Sequence, residues 1–111
     1  MAGGVTIKRD DELQRDFDIW VLVRRSLGVE CFGLNMVELP PGHSIPEHDE
    51  TDRDHEEVFY VVEGATTLVA DGADHAAPAG TWARFGPEVR RTVRNDGETT
   101  AKVLIVSAPT P

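Results

Sequence analysis

The sequence predicts an all-β protein, an antiparallel β-sandwich or small barrel. Three observations predict it. Short runs rich in Val, Ile, Leu and aromatic residues recur through most of the 111 residues. Gly, Pro, Asn and Asp punctuate them at close intervals. Asp71-Gly72 stands between two of the runs, and these residue types accept the positive φ of a tight hairpin turn.

In chain order, "DDELQRDF" (10–17) predicts a short helical turn with Leu13 and Phe17 on one face. "DIWVLV" (18–23) reads as a strand because it is β-branched and aromatic. "CFGLNMVEL" (31–39) alternates, with Phe32, Leu34 and Met36 on one side and Asn35 and Val37 on the other. The "PPG" at 40–42 ends it, since Pro cannot extend a ladder. "EVFYVVE" (57–63) is the strongest strand signal, and 66–77 is a hairpin turning at Asp71-Gly72. "TWARF" (81–85), "RRTVRN" (90–95) and "AKVLIVS" (101–107) complete the set. Residues 57–63 and 103–106 are apolar on both faces. A sheet with one face in water should alternate, so a second cover is expected, and in so short a chain that cover is a second subunit. The expectation is a homodimer.

Composition narrows the function. The length suits one compact domain, 1–111. A net charge of -9 argues against nucleic acid and against an anionic membrane surface. No apolar run is long enough for a transmembrane helix, and the first residues lack the apolar stretch of a signal peptide. The single Cys31 forms no internal disulfide, which with the rest points to the cytoplasm.

Chemistry concentrates between Glu47 and Glu57, where two His and seven acidic residues run into the strongest strand. A solvated acidic loop explains most of them. A calcium loop of the EF-hand type does not fit, because no Gly provides its sharp turn. Glu57 shares a strand face with Phe59 and Val61. On an interior face its carboxylate leaves bulk water and needs a proton or a partner. Three partners are open: a metal, the guanidinium of Arg91, or a bound ligand. His55, two residues earlier, shares that face in an extended chain, while His43 and His75 read as surface residues.

Two spaced motifs carry a resemblance. Gly42 is followed after five residues by His48, and Glu57 after six by Gly64. Gly72 is followed after five by Pro78, then Gly80, and Asn95 follows Arg91 with three residues between. These ends match the patterns G-x5-H-x-H-x(3,4)-E-x6-G and G-x5-P-x-G-x2-H-x3-N. Over residues 31 to 107 the chain resembles the cupins. The resemblance implies an antiparallel double-stranded β-helix, a jelly-roll barrel. It also implies a metal site built from two His and the Glu of the first motif and one His of the second. Here His48 and Glu57 fall on two of those positions. The second His is replaced by Glu50, or by Arg53 when counting back from Glu57, because the spacing between His48 and Glu57 is longer than the pattern. Arg91 replaces the last His, and a guanidinium has no lone pair to give.

Two functions follow. The first is a binding module that holds a small polar or anionic molecule in its barrel through Arg91, Glu57 and His48, as a sensor, carrier or accessory protein. The plainest arrangement of its interior is an Arg91–Glu57 ion pair, with Arg standing where a metal would. The second is a metal-dependent enzyme of the dioxygenase, isomerase or epimerase type. It would hold zinc, iron, manganese or nickel through His48, Glu57 and Glu50.

Overall fold

A computed structural model describes residues 4–111 of the chain; Met1–Gly3, where the N-terminal stretch begins, lie outside the described residues. Nine strands build two sheets. The larger contains β1 (Arg15–Asp16), β2 (Trp20–Val21), β3 (Gly33–Leu39), β4 (His55–Glu63), β7 (Trp82–Phe85) and β9 (Ala101–Pro109), ordered β1-β2-β3-β9-β4-β7. The smaller contains β5 (Ala65–Ala70), β6 (Ala73–Pro78) and β8 (Arg91–Asn95), ordered β6-β5-β8. Every neighbouring pair is antiparallel. The predicted all-β double-stranded β-helix is the observed fold.

The β5–β6 hairpin turns at Asp71 and Gly72, both with positive φ (48° and 80°). That pair of angles is the two-residue turn whose twist matches the strands it joins. The segment His43–His48 runs beside β8 and widens the smaller sheet. Its backbone exchanges bonds with Arg91 (His48 N to Arg91 O 3.1 Å, Arg91 N to His48 O 2.8 Å) and with Asn95.

The core lies between the sheets. From the larger sheet come Val37, Leu39, Phe59, Val61, Val103 and Ile105; Ile45, Leu68, Ala77 and Val93 face them from the smaller one. Phe59 and Phe85 meet edge to face with centroids 5.0 Å apart, a favoured aromatic geometry. Parity in β3, β4 and β9 follows the sequence expectation: Phe59 and Val61 point inward, while Val58, Tyr60, Leu104 and Val106 look outward and remain half-buried. Val62 is the extra residue where the β4–β9 register slips, and it is exposed.

The N-terminal third departs from expectation. Residues 10–17 hold one 3-10 turn (Asp10–Glu12) and then β1, and Phe17 is exposed rather than packed against Leu13. Phe17 and Asp18 both take positive φ and form the turn into β2. Strand 18–23 shrinks to Trp20–Val21, and a short helix α1 (Val23–Leu27) follows. Gly28, with φ 74°, ends it by donating to the Arg24 carbonyl at 2.9 Å. The Ser26 hydroxyl accepts from Gln14 N and donates to Leu22 O, tying α1 to the chain before it. A β-branched hexamer gave way here to a tertiary bond and a glycine cap.

Asn95 closes the barrel beneath this frame. It is fully buried, and its amide donates to the carbonyls of Leu39 and Thr99, each at 2.8 Å, and accepts from Gly97 N at 2.9 Å. Asn95→Ala strips partners from three backbone groups at once. It should lower unfolding free energy by about 2–4 kcal/mol, since unmet buried groups carry the full desolvation cost. Urea titration checks this; an unchanged midpoint would mean the loop rebuilds those bonds without the amide.

Candidate functional site

The site grows from one row of inward side chains. Glu57, the third residue of β4, pairs with Phe85 of β7 on one side and Ser107 of β9 on the other. Those neighbours fix its carboxylate inside the barrel, where it is 5 % exposed. Arg91 opens β8 and points inward with Val93 and Asn95; none of its surface meets solvent. Its Nε and Nη2 both donate to Glu57 Oε1, at 3.1 and 2.9 Å. Its Nη1 donates to the carbonyls of Gly86 and Val89 at 3.1 and 2.7 Å. The guanidinium carbon also stands 5.5 Å from the centre of the Phe85 ring, within cation–π range. The buried charge is thus matched by a carboxylate, two carbonyls and an aromatic face, as burial of a cation requires.

His48 arrives on the segment bonded to β8. Its Nε2 lies 3.3 Å from Glu57 Oε1 and 3.3 Å from Glu50 Oε2, and its Nδ1 lies 3.3 Å from the Pro46 carbonyl. Both ring nitrogens face acceptors, which suits the imidazolium with two N–H donors. Its pKa is accordingly raised, first by the Glu57 hydrogen bond and further by Pro46, against burial and the Arg91 charge. For Glu57, burial is the largest influence and pushes the pKa up. The hydrogen bonds and charges of His48 and Arg91 together outweigh it, so the carboxyl titrates below its ordinary value. Glu50 is also buried, and its Oε1 accepts from Arg53 Nε at 2.8 Å and from Arg53 Nη2.

The same three side chains can hold a metal. One ligand atom from each of His48, Glu50 and Glu57 lies within 4.8 Å of the others. With Nδ1–H on the Pro46 carbonyl, Nε2 is the nitrogen left for coordination, the usual arrangement for a ligating His. One imidazole and two carboxylates form a mixed set suited to zinc, iron, manganese or nickel. The residues present therefore fit such an ion in type and closeness, and Arg91 and Arg53 compete with it for the two carboxylates.

A cavity of about 370 Å³ opens beside this cluster. Trp20, Leu34, Ile45 and Ile105 give it apolar walls, and His48, Glu50 and Glu57 a charged end. Arg24 and Arg53 also line it; Arg91 does not, because it stands behind Glu57. Arg91 therefore meets a guest only through the carboxylate it holds.

Sequence reasoning placed Glu57, Arg91 and His48 where the structure brings them together, and it named Glu50. His55 starts β4, but its Nδ1 is buried with no partner among the described residues, and it stands outside the cluster. His43 and His75 are exposed. Arg90 pairs with Glu47, Arg84 with Glu56, and Arg94 with Asp96 and Asp74, all on the outside. Sequence reasoning missed the cavity residues Trp20, Asn35 and Ser107. Parity was the available signal for the last, since Ser107 follows Val103 and Ile105 on the inward face of β9.

Known proteins agree on the fold. The Cupin domain family profile matches residues 35–107. A sugar phosphate isomerase of the cupin superfamily from Silicibacter pomeroyi superposes with a TM-score of 0.73 at 28 % identity, over 83 % of this chain and 59 % of that one. This chain thus spans well under two thirds of that protein. A cupin protein from Bacteroides fragilis gives 0.76 at 21 % identity, over 94 % and 87 % of the two chains. A predicted oxalate decarboxylase from Thermotoga maritima gives 0.77 at 19 % identity, over 95 % and 100 %. No curated protein matches the sequence.

Two outcomes follow from the geometry. Arg91→Ala leaves Glu57 buried without its main partner and should cost about 3–5 kcal/mol of stability. Thermal and urea unfolding check it, and a wild-type melt would place Arg91 outside the barrel. His48 stabilises the fold when charged. Its folded pKa lies above 6.5, so that contribution is complete below pH 6.5 and fades as pH rises through the folded value. Glu57 acts in the opposite sense, contributing above 4.5 and losing its contribution as pH falls through the lowered value. Chelator-treated wild type and His48→Gln should therefore differ most in melting temperature near about pH 5.5 and converge by about pH 9. A gap that widens with pH would mean that the ring sits neutral.

Proposed function

The chain belongs to the cupin family, and we propose that, as one domain, it is a binding module holding a small polar or anionic molecule in the cavity between its sheets. Its role is that of a cytoplasmic sensor, carrier or accessory subunit. The observation that carries this reading is the state of Glu57. Its charge is already answered by Arg91 and His48 through Oε1, so the barrel is electrostatically complete without a metal. The cavity's apolar walls and few convergent polar groups are those of a small-molecule site. Arg24 and Arg53 give an anionic guest two cations. The Silicibacter pomeroyi relative, a sugar phosphate isomerase, is consistent with an anionic guest here.

A second reading is a metal-dependent enzyme, and the approach of His48, Glu50 and Glu57 to within 4.8 Å favours it. A metal held there would polarise a substrate oxygen as a Lewis acid. The two readings part under chelation. Untagged protein is stripped with a chelator, and melting shifts are recorded across a panel of small polar and anionic compounds. The binding module keeps its ligand shift after stripping. A shift that vanishes with the metal and returns with zinc would install the second reading instead. In parallel, Arg91→His removes the competing guanidinium and adds an imidazole, so it should bind zinc more tightly than wild type by calorimetry. Stoichiometric, tight zinc binding by wild type would overturn the metal-free site.

We also propose that a second copy of the chain covers the outer face of the larger sheet. Tyr60, Leu104, Met36 and Val58 lie there half-buried, and Trp82 packs on Tyr60 at 4.0 Å while 68 % exposed. An apolar patch of this kind on a sheet edged by β7 suits a two-fold contact. Light scattering should give twice 12.2 kDa for wild type and a monomer for Trp82→Lys. A wild-type monomer would remove the proposal.

A further inference from the structure

The inner floor of the cavity holds polar atoms that bond to no protein group among the described residues. Among the described residues, the Ser107 hydroxyl has no hydrogen-bond partner, although Ser107 is only 7 % exposed. The Asn35 amide lines the same cavity and also has none. Glu57 spends Oε1 on Arg91 and His48, and its Oε2 receives no bond from the described residues. These groups are neighbours by register. Gly33, Ser107 and Glu57 form one row across β3, β9 and β4, and Asn35 lies one inward position along β3.

The place of the Ser107 hydroxyl on that row depends on a missing side chain. A Cβ at Gly33 would stand 2.3 Å from Ser107 Oγ, so the hydroxyl occupies the room that any other residue would fill. Asn35 is half-buried and all three groups face the cavity, so water or a guest that displaces it supplies their bonds. The three groups differ in kind. Ionised Glu57 Oε2 only accepts, while Ser107 and Asn35 both donate and accept. An anionic group set against Glu57 is repelled, and an ammonium satisfies Glu57 but accepts nothing from Ser107 or Asn35. A hydroxyl does both.

We propose that Ser107, Asn35 and Glu57 Oε2, with the Ser107 hydroxyl seated over Gly33, form a hydroxyl-reading subsite, so that the guest is a polyhydroxylated small molecule. This rests on the binding-module reading and names its ligand class. The guest's hydroxyls lie on the Gly33–Ser107–Glu57 row, and any anionic group it carries is held toward Arg24, away from the two carboxylates. A volume of about 370 Å³ accommodates a short polyol chain and stands at the low end of small-molecule sites. Trp20 and Ile105 cover its C–H surface.

Three six-carbon probes isolate the hydroxyls: sorbitol, gluconate and hexanoate. Hexanoate is gluconate without its hydroxyl groups, and sorbitol lacks the charge. Calorimetry on chelator-stripped wild type should show gluconate binding at least about tenfold more tightly than hexanoate, with sorbitol also binding, on the scale of two lost hydrogen bonds. Ser107→Ala should weaken gluconate and sorbitol about fivefold and leave hexanoate unchanged. Gly33→Ala turns the Ser107 hydroxyl away by rotation, so the fold survives, as a thermal melt would verify, while the polyols lose that partner and bind about fivefold more weakly. If hexanoate binds as well as gluconate, or Ser107→Ala leaves both polyols unaffected, the hydroxyl-reading subsite is wrong and the binding module stands. If none of the three binds, the hydroxyl-reading subsite is wrong, and the panel of small polar and anionic compounds decides the binding module.

Discussion

The bond between Arg91 and Glu57 is the interaction on which the rest of this barrel depends. A carboxylate on an inward strand face and a guanidinium with no solvent-exposed surface are each costly to bury alone. Together, with two carbonyls and the Phe85 ring around the guanidinium, they are tolerated. The pair also ties the two sheets, because Glu57 belongs to β4 of the larger and Arg91 to β8 of the smaller. An ion pair is weak as a source of net stability but exacting about geometry. It fixes where β8 starts and, through the backbone bonds between Arg91 and His48, where the 43–48 segment runs.

That placement makes the charged end of the cavity. His48 is carried to Glu57 by main-chain bonds to β8, and the turn after it brings Glu50 inward beside it. Two carboxylates then face Arg91, Arg53 and His48, so the local charge is close to balanced in a chain whose net charge is -9. The other acids of 47–57 turn outward or pair with surface arginines, and this keeps their repulsion in high-dielectric water. One loop thus separates solvated charge from the few charges that face a guest.

Gly33 and Ser107 show how sheet register can shape a pocket. Paired across two strands, a residue with no side chain lets the small polar side chain of its partner sit over it on the cavity floor. Ile45 and Ile105 form the walls, and Glu57 ends the row. The cavity lies between this paired row and the 45–53 segment.

Alternation, turn residues and two spaced motifs determined much of this protein by themselves. Parity put Phe59, Val61 and Glu57 on one face, the Asp71-Gly72 pair marked its hairpin, and the run from Gly42 to Gly64 identified the family of the fold. Local patterns carry that information because strand parity and turn angles are properties of a few consecutive residues. Chain order alone could also name Arg91 as the partner in place of a metal ligand, because the motif aligned it. Only tertiary structure decided that all of its bonds are used internally, so that it supports Glu57 instead of reaching the cavity. The N-terminal third went the same way. Residues 18–23 are strand-like in isolation, but a Ser26 bond and the Gly28 cap turned their end into α1. The cavity row of Gly33, Ser107 and Glu57 spans residues far apart in sequence, and inter-strand register, set by the whole sheet at once, is what makes them neighbours.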